Sequence, residues 1–356
     1  MTMPIRIALS GDILPTRPLH SPPASAEAIY GLVRGADFSV GNFEMATTDR
    51  GTRVQKLLNI RAPARLAADV PVLGFDVLTL ANNHAVDYGW EGLADTRAGL
   101  TAGGIAVVGV GESREMAAAP HFAVANGRRV GVIAFSCLTP TGMSAADDRP
   151  GLSPIHVETS YEIDPWYQME EPGDISVVKV RTRVRDDDLA WACAAVKRAR
   201  AQCDMLIVTI HWGFGSGEEI AEYQHPLGRA LIEAGADIIH GHHPHAIHGI
   251  GFHAGKPIFF SAGTFIGQQI FLPAGAQVQA LWAGMSPDGY LAMLDWDGDV
   301  ASSIRLHPTT VDAERLPMAA DGDVAVRIAE RLARLSEPLG AIVRPASGGL
   351  LEVLPA

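Results

Sequence analysis

Short apolar runs rich in β-branched residues alternate along this chain with longer stretches whose apolar positions recur at helical spacing. The first pattern predicts strands and the second predicts helices. Strands are expected at 5–10, 38–40, 77–81, 129–135, 205–210, 237–239 and 257–260. Helices are expected at about 23–34, 62–70, 91–103, 187–203 and 221–234, with a further amphipathic helix near 321–336. Strand–helix alternation of this kind implies an α/β layered domain.

Polar residues cluster where the strands end. Asp12 follows the first strand, Asn42 and Glu44 the second, Asn83 and His84 the third, and His211 a fourth; a fifth runs into the segment from His240 to His245. Ligands of α/β sheets gather beyond the carboxyl ends of strands, so five ends carrying ligand-type side chains mark one site. Residues 138–180 break the pattern. They are rich in Pro, Gly, acids and aromatics, and read as an insertion or lid over the site.

Composition sharpens this picture. Of 13 histidines in 356 residues, six lie between positions 240 and 253. The donors at the strand ends are oxygens and imidazoles without a thiolate, a set that suits a divalent ion such as Mn, Fe, Zn or Ca. His84 with Asp87 three residues on reads as an imidazole held in one tautomer by a carboxylate, and His243 or His245 with Asp12 as a second such pair. The net charge of −12, from 40 acidic and 28 basic side chains, argues against a nucleic-acid partner. Three cysteines without ligand spacing argue against a disulfide scaffold or zinc ribbon. No leader pattern and no apolar run long enough for a bilayer is seen, so the expectation is a cytoplasmic chain without a membrane anchor. A homodimer is the default expectation for assembly.

The motifs GDILPTR, GNFE, LANNHAVDYG, HWG, GADIIHGHHPH and GKPIFFSAGTF, in this order, resemble the CapA (PgsA) family of poly-γ-glutamate capsule synthesis. The resemblance covers about residues 5 to 270. It implies a calcineurin-like metallophosphatase fold, a four-layer α/β/β/α sandwich. Residues 1–310 would form this domain, with 311–356 a C-terminal helical extension packed on it. By the family pattern Asp12, Glu44, Asn83, His211, His243 and His245 would be metal-linked. His84 would be the acid/base residue and Asp87 its orienting partner. His242 would be either a ligand or a support; His240, His248 and His253 would be structural. Three departures stand out. Leu14 replaces the histidine of an opening Asp-x-His, Ser261-Ala262-Gly263-Thr264-Phe265 replaces a Ser-Leu-Gly-Asn-Phe motif, and no membrane anchor is expected.

The first reading of function is a metal-dependent hydrolase or transferase acting on a peptide or γ-glutamyl amide through activated water and His acid/base catalysis. Catalysis would fall to His84, Asp87, Asp12 and His245. Arg17 is the candidate contact for a substrate anion, and Trp166, Tyr167 and Trp212 are the candidates for gripping an aromatic peptide end. A peptide epimerase of the lasso-peptide type, a phosphoesterase, and a non-catalytic component of capsule synthesis are the alternatives.

Overall fold

The computed structural model describes residues 4–356. Two sheets stack face to face. In the first, the strand Ile5–Leu14 runs parallel to Phe38–Phe43, which continues into Val77–Thr79 and Ala106–Val108. On its other side lie antiparallel Gly289–Asp297 and Val300–Val311, then Leu351–Pro355 and Ala341–Pro345 at the edge. In the second sheet Met205–His211 is central. Arg128–Ser136 and Ile238–His242 flank it in parallel, so the carboxyl ends of these strands point the same way.

The period-2 pattern decides which face each residue takes. Ile5, Ile7 and Leu9 turn inward to meet Val130, Val132 and Ile207 between the sheets. Ala8 turns outward, where Tyr30, Val33, Leu93 and Leu100 from the helices Ala24–Arg34 and Gly89–Ala102 cover it. On the second sheet Ile133, Phe135, Val208 and Ile210 turn outward to Val196 and Leu231 of the helices Asp186–Arg200 and Gln224–Glu233. The layers are therefore α/β/β/α, the calcineurin-like architecture that the resemblance implies.

Three local features differ from the sequence pattern. The expected helix at 62–70 is a pair of 3-10 turns, Ala64–Ala68 and Val70–Leu73. Pro63 starts the first and Pro71 sits in the second, where proline denies an α-helix its continuing hydrogen bond. The tail is more than helical. Its helix Gly322–Ser336 inserts Ile328 and Leu332 between the sheets, and its last two strands extend the first sheet. The segment 138–180 carries an arm, in which Val157–Ile163 pairs with Val178–Val184 and the short helix Pro165–Glu170 lies between them. Glu222 tethers that arm by accepting from the Thr182 amide at 2.9 Å and pairing with Arg181 at 3.2 Å.

Candidate metal centre

The first sheet brings oxygen donors. Gly11 lets its strand press against the turn at Gly263: a Cβ there would lie 1.9 Å from the Gly263 carbonyl oxygen. The Asp12 amide then donates to that oxygen at 3.0 Å, which fixes where the Asp12 carboxylate points. Asn42 Nδ2 donates to Asp12 Oδ1 at 2.8 Å and faces Glu44 Oε2 at 3.2 Å, spacing the two acids. Asn82 locks Asn42 in turn, donating to Asn42 Oδ1 at 3.0 Å and to the Phe43 carbonyl at 2.9 Å. Its own Oδ1 accepts the His84 and Ala85 amides at 3.1 and 2.9 Å, building the turn that presents Asn83 and His84.

The second sheet brings imidazoles. His211 ends its central strand, and His243 and His245 follow the adjacent one. Both loop histidines have positive φ, 110° at His243 and 49° at His245. Such backbone costs on the order of 1–3 kcal/mol per residue and persists only where its surroundings hold it.

The two sets converge. His245 Nδ1 lies 3.0 Å from Asp12 Oδ2, while Glu44 Oε1 is 3.5 Å from both His211 Nε2 and His245 Nε2 and 3.9 Å from His243 Nδ1. Glu44 Oε1 and His243 Nδ1 are buried without a hydrogen-bond partner, and His245 Nδ1 meets only the Asp12 carboxylate. Orphaned buried atoms cost stability unless something meets them. These are all metal-ligand atoms, and those of Glu44, His243 and His245 lie within 4.8 Å of one another, as do those of Asp12, His211 and His242. The donor set fits a hard or borderline divalent ion.

Charge tells the same story. Burial, then the neighbouring Asp12 carboxylate, pushes the Glu44 carboxyl well above its ordinary range. Burial also acts on Asp12, but His245, His242 and Asn42 outweigh it and hold that carboxyl below its ordinary range. Without a cation the two acids are forced apart in protonation; a cation between them lets both ionise. Burial and neighbouring imidazoles keep His211 well below the usual histidine value and hold His243 at about 3, despite the opposing pull of Asp12 on His243. Neutral imidazoles are the form that binds metal.

Beside this cluster stands the dyad expected from the sequence. His84 Nδ1 donates to Asp87 Oδ2 at 2.7 Å, leaving Nε2 free for proton transfer. The Ile60 amide holds the same carboxylate oxygen at 2.6 Å. Burial lowers the His84 pKa, and Lys56 adds to this while Asp87 opposes it. A cavity of about 400 Å³ opens here, lined by Lys56, Asn83, Cys137, Thr139, Pro140 and His156.

The remaining candidates lie elsewhere. Arg17 pairs with Glu314 and stacks 3.6 Å over Phe271. Trp166 and Tyr167 sit on the arm, 75% and 49% exposed. Trp212, expected to contact substrate, is a core ring with no exposed surface; it stacks on Phe260 and donates to the Phe260 carbonyl at 3.0 Å. Lys56 escaped sequence reasoning. Its ammonium donates to Asp87 Oδ1 at 2.6 Å and the Asn83 carbonyl at 2.5 Å, yet its segment has no periodicity and no motif to mark it. His242 is spent on both ring nitrogens, Nδ1 at 2.8 Å from His211 and Nε2 at 2.9 Å from Thr209, so it supports the cluster.

Fold and site together define a four-layer α/β/β/α protein with a candidate divalent-metal centre at the meeting of its two sheets. Residues 6–269 match the family described as bacterial capsule synthesis protein PGA_cap, and the chain belongs to that family. It is 28% identical to the PGA biosynthesis protein CapA of Bacillus subtilis, over 68% of this chain and 58% of that one. It is 30% identical to a probable polyglutamine synthesis accessory protein of Mycobacterium tuberculosis, over 79% of this chain and 67% of that one. Among solved structures, a phosphatase of Mycoplasma pneumoniae superimposes with a TM-score of 0.43 at 12% identity, covering 89% of this chain and 92% of that one. Among the described residues no helix is long and apolar enough to cross a membrane.

Proposed function

We propose that this protein is a metal-dependent hydrolase or transferase acting on a peptide or γ-glutamyl amide. The observation that carries the reading is the juxtaposition of the unpartnered Glu44 and His243 ligand atoms with the His84–Asp87 dyad, joined through Asn83, which precedes His84 and whose Oδ1 lies 2.7 Å from His211 Nε2. Asp12, Glu44, Asn83, His211, His243 and His245 would hold the ion. A divalent ion held there supplies Lewis-acid polarisation and acidified water. The residues do the rest. Asp87 accepts from His84 Nδ1–H, so the Nε2 lone pair is the one that takes up a proton during attack on a carbonyl. The same nitrogen then delivers that proton to the leaving amine. The Lys56 ammonium holds Asp87 Oδ1 and stabilises the carboxylate that orients the ring. The relatives' names support an amide of glutamate as the substrate class.

The test is incubation of purified protein with γ-glutamyl and α-peptide panels in D₂O, each with Mn, Zn, Fe or Ca. New amino termini that appear only with metal, and that His84→Ala abolishes, are the expected result. No cleavage or transfer under any of the four ions overturns the reading. Incorporation of one deuterium without cleavage would point to epimerisation instead.

A further inference from the structure

Behind the ligand His211 runs a chain of buried polar groups that the chemistry above leaves unused. His240 Nε2 lies 2.7 Å from the Ser10 carbonyl, and His240 Nδ1 is 3.3 Å from Thr209 Oγ1. Thr209 Oγ1 is 2.9 Å from His242 Nε2, and His242 Nδ1 is 2.8 Å from His211 Nδ1. All four side chains are 1% exposed or less.

Donor and acceptor parity gives this chain one direction. The Ser10 carbonyl can only accept, so His240 carries its proton on Nε2. Its other nitrogen, in a neutral ring, can only accept, and the one proton of Thr209 goes there. Thr209 then offers a lone pair to His242, which must carry its proton on Nε2. His242 Nδ1 is left as an acceptor, and His211 donates to it from Nδ1. The Nε2 of His211 therefore bears a lone pair. That lone pair points at Asn83 Oδ1, 2.7 Å away, which is an acceptor too. Two acceptors at that separation repel unless a cation lies between them.

We infer that the Ser10–His240–Thr209–His242 relay sets the tautomer of His211, so that its Nε2 lone pair and Asn83 Oδ1 are presented together to the metal before it arrives. Thr209, His240 and His242 are positioning residues. Ser10 stands two residues before Asp12 on the strand of the first sheet, so the relay also ties one ligand's strand to another ligand's ring across the sandwich. This rests on the metal-binding part of the reading above and not on its amide chemistry; failure of every substrate leaves it standing.

Thr209→Val removes the hydroxyl at nearly constant volume and breaks the relay between His240 and His242. Thr209→Ser restores the link. Mn²⁺ and Zn²⁺ affinities are measured by calorimetric titration, and ring tautomers by long-range ¹H–¹⁵N correlation on histidine-labelled protein stripped of metal. The expected result is 10- to 100-fold weaker metal binding in Thr209→Val, the range typical of lost ligand support, with recovery in Thr209→Ser. In the metal-free wild type, His211 and His240 should carry their protons on Nδ1 and Nε2 respectively. Equal affinity in a folded Thr209→Val, or a wild-type His211 protonated on Nε2 and donating to Asn83 Oδ1, overturns the relay. Should Thr209→Val not fold, the wild-type tautomers decide alone. Wild type that binds neither ion overturns the metal reading and this inference with it, even where the tautomers are as drawn.

Discussion

The two sheets contribute different chemistry to one site. The first supplies oxygen: Asp12, Glu44 and the Asn83 amide, with Asn42 and Asn82 as the ladder that spaces them. The second supplies nitrogen: His211, His243 and His245, with His242 and His240 behind them. Neither half is a complete site. The oxygen half alone holds two acids close together, and the nitrogen half alone is a set of imidazoles with no acid among them. The difference teaches that the centre is a property of the interface between the sheets. Whatever loosens the inter-sheet core must also separate the candidate ligands.

That contrast can be broken most sharply by removing one donor from each side. Asp12→Ala and His243→Ala should each weaken divalent-metal binding by more than about 100-fold, beyond what loss of an outer support costs. Elemental analysis after dialysis reads this, and full metal content in either variant would move that side out of the site.

The halves should differ next in their response to acid. His240 is fully buried and its pKa is lowered to about 4 by burial, against 6.5 unperturbed; the Ser10 carbonyl and Asp12 oppose the shift. The unfolded chain takes up this proton first, so stability is present above pH 6.5 and is lost as pH falls towards 4. The loss from this ring alone is on the order of 3 kcal/mol. Denaturant titration of the metal-free protein between pH 7 and 4 should show it, and a flat profile would contradict a neutral nitrogen half.

A smaller effect belongs to Lys56, the cation on the oxygen side. Lys56 lowers the His84 pKa, so Lys56→Met should raise it and move the acid limb of the pH–rate profile upward. An unmoved limb would separate Lys56 from the dyad. The smallest effect is expected from Trp166→Ala on the arm. Its ring is exposed, so thermal stability should not change within error. A raised KM in that variant would bring the arm to the substrate; a lowered Tm would show that the ring packs.

Much of this was legible in the sequence for a simple physical reason. A buried strand reads as an apolar run, and a polar residue at its end stands out against it; Asp12, Asn83 and His211 are marked as candidates in that way. Lys56 is not, because it reaches the dyad from an irregular segment through a long flexible side chain. Trp212 was misread because sequence adjacency to His211 says nothing about which face its ring takes. On a strand's continuation the neighbour of an inward ligand turns outward, into the helices. The tail strands were missed because their edge position leaves them only partly apolar: Ile342 is 49% exposed.

The last elements of the chain carry a consequence of their own. Every ligand lies before residue 250, yet Gly289–Asp297, Val300–Val311 and the tail strands widen the first sheet, and Ile328 and Leu332 seal its seam with the second. On the ribosome, the donors emerge well before the parts that press the sheets together. Assembly of the candidate site thus has to wait until these later strands and the helix have emerged, and a chain cut before them would carry all the candidate ligands and no assembled centre.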